Sequence, residues 1–249
     1  MSGLSPDTLL LHKAMNVQLI ITAALLPAIL LWLYIWKKDS QPEPTIWLLK
    51  AVLWGIVICI PVALLELAIE ALLFGVGGGP ETPLGTTAMA FFVAALPEES
   101  FKLLVLWLVL RKNPYFDEHY DGIVYAVCVG LGFAAIENVF YVFSEEEWWS
   151  VAITRALLAV PAHYAFAIFM GYFYSVYHFV DRSKKTAASI LLVPFVLHGV
   201  YDSLVLCGTV DLTIGGIGAI LLIFFCIRMH RFARKKMLAL IERDENLLG

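Results

Sequence analysis

The sequence predicts an all-α polytopic membrane protein of about seven transmembrane helices. Of its 249 residues, 61% are hydrophobic and only 15% are charged, and the mean hydropathy is +0.82. Soluble domains usually carry about 25% charged residues. Long apolar runs alternate with short polar or Pro- and Gly-rich breaks, and a helix needs roughly 20 apolar residues to cross a bilayer. We therefore expect a multi-pass protein of the cell membrane without a separate soluble domain.

Seven apolar runs are long enough to be considered as spans, and all should be helices because lipid-facing backbone must satisfy its own hydrogen bonds. The first run ends at Lys37 and Lys38 without a small-residue cleavage site, so we interpret it as a retained span rather than a signal peptide. Residues 1–249 are predicted to form a single transmembrane domain, in which a basic tail at 230–249 is either an amphipathic helix on anionic lipid or a solvated extension. The predicted spans lie near 17–36, 46–74, 86–110, 121–143, 151–179, 187–207 and 212–229.

The positions of the basic residues predict the orientation. Fourteen of the 17 Lys and Arg residues lie in or beside the connections that follow the first, third, fifth and seventh runs. The connections between those contain none, and the one at 144–150 is acidic. Because Lys and Arg collect on the cytoplasmic side, we expect the N-terminus outside and the C-terminus in the cytoplasm. The exceptions include Lys102 and Arg155, and Arg155 is expected to extend toward the outer surface.

Ionisable residues inside apolar runs are costly and are usually paired or functional. Counting from the predicted outer ends at about 1.5 Å per residue, Glu98 and His163 lie roughly 18 Å deep, His198 roughly 14 Å and Glu137 roughly 9 Å. These four residues belong to four predicted helices and reach a similar layer, which indicates a common site. The intramembrane polar residues are Glu66, Glu70, Glu98, Glu99, Lys102, Glu137, Asn138, His163, His198 and Asp202.

Spacing within two segments adds detail. In HGVYD, His198 and Asp202 are four residues apart and share a helix face, so they can address one metal ion or one water, or hydrogen-bond to each other. In PEESFK, Lys102 follows Glu98 by four residues and Glu99 by three, so its ammonium can neutralise either carboxylate. A proline precedes each of three candidate residues and is expected to bend the helix there. These prolines are Pro97, Pro161 and Pro194.

These residue types favour hydrolysis inside the membrane. Two histidines and several glutamates can bind zinc, which lowers the pKa of a bound water toward about 7. A buried glutamate acting as base with a histidine beside the oxyanion is a metal-free alternative, and the residues leave both open. HExxH and GxSxG are absent from the sequence, which excludes the zinc and serine enzymes that these motifs mark. Glu66 and Glu70 lie nearer the outer end, where they could instead face a water-filled vestibule.

Three segments resemble the PrsW intramembrane proteases, within the superfamily of CAAX endopeptidases and Abi or CPBP proteins. They are PEESFK, DGIVYAVCVGLGFAAIENVFY and HGVYD. The resemblance implies that Glu98 and Glu99 are the essential glutamate pair, that 133–137 is the second motif, and that His163 and His198 are the paired histidines. Glu137, where many superfamily members carry histidine, fits the PrsW branch and argues against CAAX processing.

The resemblance implies a metallopeptidase that cuts a membrane-tethered protein, such as the first cut in a single-span anti-sigma factor near the outer face. Two other classes stay open on the residues: a proton-coupled transporter and a non-catalytic membrane scaffold. Few ionisable groups besides Lys102 lie in the inner halves of the spans, which argues against transport. The predicted catalytic residues are Glu98, Glu99, His163 and His198, supported by Lys102, Glu137, Asn138 and Asp202, with zinc held by Glu98, Glu137, His163 and His198.

Overall fold

A computed structural model describes the backbone of residues 6–248 and the side chains of 17–211 and 213–247. Within this part of the chain, the secondary structure is entirely helical and comprises seven helical segments. This confirms the all-α prediction. The segments are α1 (Pro6–Trp36), α2 (Thr45–Val57 and Cys59–Phe74), α3 (Pro83–Ala88, Met89–Ala95 and Leu96–Leu110), α4 (Asp121–Ser144), α5 (Trp148–Thr154, Arg155–Ala159 and Val160–Phe179), α6 (Lys184–Leu206) and α7 (Leu212–Leu248).

Six of these segments are long and apolar enough to cross a membrane, one fewer than the sequence predicts. Among the described residues, the segment that does not qualify is α3. It carries Glu98, Glu99 and Lys102 within five positions. These three charged residues lower the hydropathy of the segment, although its backbone is helical without a break from Pro83 to Leu110. The candidate spans are Val17–Trp36, Thr45–Phe74, Asp121–Ser144, Trp148–Phe179, Lys184–Thr209 and Thr213–Leu247.

Helix α4 is the central helix, and most of its residues are buried. Glycines allow its backbone to touch its neighbours. A β-carbon on Gly132 would lie 2.4 Å from the carbonyl oxygen of Val52 on α2, and one on Gly171 of α5 would lie 2.3 Å from the carbonyl oxygen of Gly122. Small residues at such crossings bring helix backbones into van der Waals contact, which is the main attraction between helices in lipid. Helices α2 and α5 are thereby fixed on either side of α4.

Two helices contain a π-helical segment shortly before a proline that is followed by a predicted site residue. The π segment Met89–Ala95 precedes Pro97 in α3, and Arg155–Ala159 precedes Pro161 in α5. A proline cannot donate to the carbonyl four residues earlier and its ring crowds that carbonyl, so the preceding turn widens. The helical hydrogen-bond pattern therefore changes before Pro97 and Pro161, whereas α6 continues as α-helix through Pro194.

Helix α7 continues beyond residue 229, where the predicted span ends, so the described part of the basic tail at 230–249 is a continuation of the same helix. The helix continues to Leu248, and a buried stripe runs along its second half at spacings of three and four. The last buried member, Asp244, accepts hydrogen bonds from the backbone amides of His119 and Tyr120 at 3.1 and 2.8 Å. The C-terminal part of α7 thus packs on the connection between α3 and α4. The stripe comprises Met229, Ala233, Met237, Leu240 and Asp244.

Buried carboxylates lie at the same end of the bundle, in the connection between α1 and α2. Burial raises the pKa of Glu43 to about 7 and also raises the pKa of Asp39. The hydroxyl of Tyr125 in α4 donates to Glu43, and the side-chain amide of Gln41 donates to Glu118. The connections that precede α2 and α4 are therefore joined by polar contacts.

Gly171→Ala should destabilise the protein by roughly 1–3 kcal/mol, because the added methyl group would meet backbone atoms that cannot rotate away. Thermal unfolding of the purified protein in detergent measures the effect. Gly79→Ala is the matched control, since a β-carbon on Gly79 has no atom within 4 Å. Equal melting temperatures for the two variants would contradict the close α4–α5 contact.

Candidate active site inside the helix bundle

The buried ammonium group of Lys102 lies at the centre of the polar cluster. Its Nζ donates to Glu98 Oε2 and to Glu99 Oε1, each at 2.8 Å. All three side chains are buried, and Glu99 has no exposed surface. These are the i,i+4 and i,i+3 contacts that the spacing of PEESFK predicts. A positive charge is required here because two adjacent carboxylates cannot be buried in apolar surroundings without one.

His198 enters the cluster from α6. Its Nδ1 lies 2.9 Å from Glu99 Oε1, and its Nε2 lies 3.2 Å from Asp202 Oδ2 and 4.0 Å from Glu98 Oε1. The ring stacks on Phe166, with centroids 4.8 Å apart and planes inclined by 21°. Carboxylates on both ring nitrogens and an aromatic ring on one face fix the imidazole in a single orientation.

His163 of α5 completes the cluster. Its Nδ1 lies 3.2 Å from Lys102 Nζ, and its ring centroid lies 5.2 Å from that of His198. An ammonium group can only donate, so Nδ1 accepts this hydrogen bond. The other nitrogen, Nε2, lies 2.8 Å from Glu137 Oε2. His163 thus stands between the cation on α3 and a carboxylate on α4.

Arg155 does not extend to the outer surface, so that prediction is wrong. Its Nη2 lies 3.0 Å from Glu137 Oε2, and its Nε donates to Asn138 Oδ1 at 2.7 Å. The Nη2 and Oε2 atoms make no aligned hydrogen bond with each other, so the contact is one of charge. Asn138, which has no exposed surface, donates in turn to the carbonyl of Ala24 in α1 at 2.7 Å. The sequence does contain a signal for this role, because Arg155 is one of the few basic residues away from the basic connections.

Four side chains of the cluster could together hold a metal ion. One ligand atom from each of Glu98, Glu99, His163 and His198 lies within 4.8 Å of the other three. Nitrogen and oxygen donors of this kind suit zinc and similar divalent metals. Glu99 Oε2 is buried and has no hydrogen-bond partner among the described residues, so it has a lone pair to offer. The residues therefore fit a metal, with Glu99 in the position that the sequence prediction gives to Glu137.

Of the two acids that the sequence places nearer the outer end, Glu66 and Glu70, only Glu66 lies near the cluster. Glu66 of α2 is half-buried and close enough to Glu98 and Glu137 to interact with both electrostatically. Glu70, one turn further along α2, forms no ion pair with any residue whose side chain is described. The structure thus adds α2 to the helices that surround the cluster, through Glu66 alone.

Comparison with known proteins shows similarity over most of the chain. Residues 43–229 match the model of a family described as PrsW family intramembrane metalloprotease. The chain is 38% identical over 185 residues to Protease PrsW of Clostridioides difficile, covering 72% of this chain and 76% of that protein. It is 36% identical over 190 residues to Protease PrsW of Geobacillus kaustophilus, with 75% and 80% covered, and 34% identical over 186 residues to Protease PrsW of Bacillus subtilis, with 74% and 81% covered.

No solved structure gives a significant match. The matched region nevertheless contains all the intramembrane residues that the sequence identifies, from Glu66 to Asp202. A transporter or a scaffold would share the costly buried charges, but neither accounts for similarity to proteases over three quarters of the chain. The resemblance carried by PEESFK, the long segment of α4 and HGVYD is thereby confirmed. The chain belongs to the PrsW family of intramembrane metalloproteases, and it is embedded in the membrane by several helices.

Proposed function

We propose that the protein hydrolyses a peptide bond of a single-span membrane protein within the bilayer, as in the first cut of an anti-sigma factor during regulated proteolysis. The observation that carries this proposal is the convergence of Glu98, Glu99, His163 and His198 from three helices into one buried group. The counted depths of these residues support a cut in the outer half of the membrane. The N-terminus outside and the C-terminus in the cytoplasm form part of the same proposal.

Glu98 is the better placed of the two glutamates to act as general base. Glu99 is held in place, because its Oε1 contacts both the Lys102 ammonium and the His198 ring. Glu98 uses only Oε2 for Lys102 and leaves Oε1 without a hydrogen bond among the described residues. A free carboxylate oxygen within reach of the histidines can take a proton from water and later return it to the leaving amine.

Glu99, His163 and His198 would then hold a divalent metal, for which zinc is our proposal. Two histidines and one glutamate are a known ligand set of catalytic zinc. When bound, such a metal polarises the scissile carbonyl and lowers the pKa of a bound water toward about 7. Asp202 and Glu137 contact the nitrogens of the two histidines, and carboxylates in such positions fix the orientation of ligand rings.

The first test is Glu98→Gln in the purified full-length chain with a fluorescently labelled single-span substrate. Loss of the base should lower the rate of cleavage by about 10²–10⁴-fold, measured by gel electrophoresis, with the cut position determined by mass spectrometry. Glu81→Gln is the matched control, because Glu81 is an exposed acid in the connection between α2 and α3 and should cleave like the parent.

The proposal fails if Glu98→Gln cleaves like the parent. A cut mapped to the cytoplasmic end of the substrate would overturn the outer-half position. Retained α-helical circular dichroism and melting temperature in the variant exclude misfolding as the reason for lost activity.

Metal removal tests the donor set separately. Dialysis against a strong chelator should abolish cleavage, and one equivalent of Zn²⁺ should restore it, because the ligands are preformed by α3, α5 and α6. His198→Ala should lose stoichiometric zinc when the purified protein is measured by elemental mass spectrometry. Full activity in the chelated protein would favour the metal-free glutamate mechanism instead.

Arg155→Ala should lower the rate of cleavage by about 10–100-fold through loss of positioning, a magnitude found when groups that orient metal ligands are removed. The reason is that Glu137 would lose its cationic partner and could no longer fix His163. Zinc affinity measured with a competing chelator should fall together with the rate. Arg182→Ala, which removes an exposed charge between α5 and α6, is the control; equal behaviour of both variants would contradict the role of Arg155.

A further inference from the structure

A second group of carboxylates lies at the other end of α4 from the active site. One oxygen from each of Glu43, Asp117 and Asp121 lies within 4.8 Å of the others. Glu43 precedes α2, Asp117 lies in the connection between α3 and α4, and Asp121 is the first residue of α4. Sixteen residues separate Asp121 from Glu137, or roughly 24 Å along the helix. The two groups are therefore distinct sites.

Asp121 provides an oxygen that the protein itself does not use. Its Oδ2 accepts hydrogen bonds from the backbone amides of Asp117 at 3.1 Å and Glu118 at 2.7 Å. Its Oδ1 is buried and has no hydrogen-bond partner among the described residues, although the residue is only 1% exposed. Such an oxygen is expensive to bury unless something binds it. One oxygen of this carboxyl group lies within 4.8 Å of an oxygen of Glu43.

Glu43 and its neighbour Asp39 are two further buried carboxyl groups at this site. Glu43 is buried and accepts a hydrogen bond from the hydroxyl of Tyr125, which is neutral. Asp39 is also buried, and its Oδ2 likewise has no partner among the described residues. None of these four acids forms an ion pair with Lys or Arg in the part of the chain whose side chains are described. In that part of the chain, the carboxyl groups of this cluster thus have no basic side chain as a partner, in contrast to the candidate active site with Lys102 and Arg155.

We propose that Glu43, Asp117 and Asp121 bind one hard divalent cation, Mg²⁺ or Ca²⁺, that joins the connection before α2 to the start of α4. The ligands are oxygens only, which selects hard cations over zinc. Asp117 is exposed and leaves one side of the site open to water, as Mg²⁺ and Ca²⁺ require. This inference does not depend on the proposed substrate or on catalysis.

Manganese is a suitable probe, because free Mn²⁺ in solution gives an electron paramagnetic resonance signal that is lost on binding. The full-length protein in detergent is titrated with Mn²⁺, and Mg²⁺ and Ca²⁺ are then added as competitors. The parent should bind Mn²⁺ at a site from which both ions displace it. Asp117→Asn should weaken binding at this site by on the order of tenfold or more, since charge and ligand number set affinity. Asp117 is exposed, so this variant should fold like the parent.

Two further variants complete the test. Glu43→Gln should weaken the same site at least as much, and Glu245→Gln, which neutralises an exposed acid beside Asp244, should leave it unchanged. Mn²⁺ that binds the Glu98 group should remain in all three variants, so that loss of the proposed site and loss of the active-site metal are told apart. In the parent, Ca²⁺ or Mg²⁺ should also raise the melting temperature, and Asp117→Asn should reduce that rise.

The inference is overturned if Asp117→Asn and Glu43→Gln bind Mn²⁺ as the parent does. It is equally overturned if neither Mg²⁺ nor Ca²⁺ changes the melting temperature of the parent while Glu43→Gln raises it. That second result would mean that Glu43 and Asp121 share a proton instead of a cation.

Discussion

The contacts of the buried Lys102 ammonium group are the interaction on which the candidate active site depends. Without it, Glu98 and Glu99 would be two adjacent negative charges in apolar surroundings, and each would have to take up a proton or draw in water. Lys102 contacts both carboxylates and the ring of His163. One positive charge thereby joins two buried carboxylates and orients a histidine on another helix.

The packing of the other helices places further polar side chains around the Lys102 ammonium group. Close backbone contacts at Gly132 and Gly171 hold α2 and α5 against α4, which places Glu66, Glu137 and His163 around the same point. The π turns before Pro97 and Pro161 then set the rotation of the segments that follow. Single π turns inside α-helices occur frequently at functional sites.

Sequence reasoning located contacts within one helix well, because the helical repeat fixes them. The pairing of Lys102 with Glu98 and Glu99, and of His198 with Asp202, follows from spacings of three and four. Contacts between helices depend on how each helix is rotated about its axis, and a single π turn changes that rotation for everything after it. This is why the role of Arg155, which follows from its contact with α4, was not predicted. The sequence likewise places the end of the last apolar span at residue 229, and it does not predict that the helix beyond packs on the protein through a buried stripe that continues to Asp244.

The contact of Asp244 has a consequence for the order in which the molecule is completed. The amides of His119 and Tyr120 lie just before the central helix, yet their acceptor lies 125 and 124 residues later in the sequence. During synthesis the central helix is made long before that acceptor leaves the ribosome. Until then these amides must be satisfied by water at the membrane surface. The bundle can therefore assemble early, but this end of it closes only after Asp244 has been made, and a chain that stops before residue 244 leaves the start of the central helix open to water.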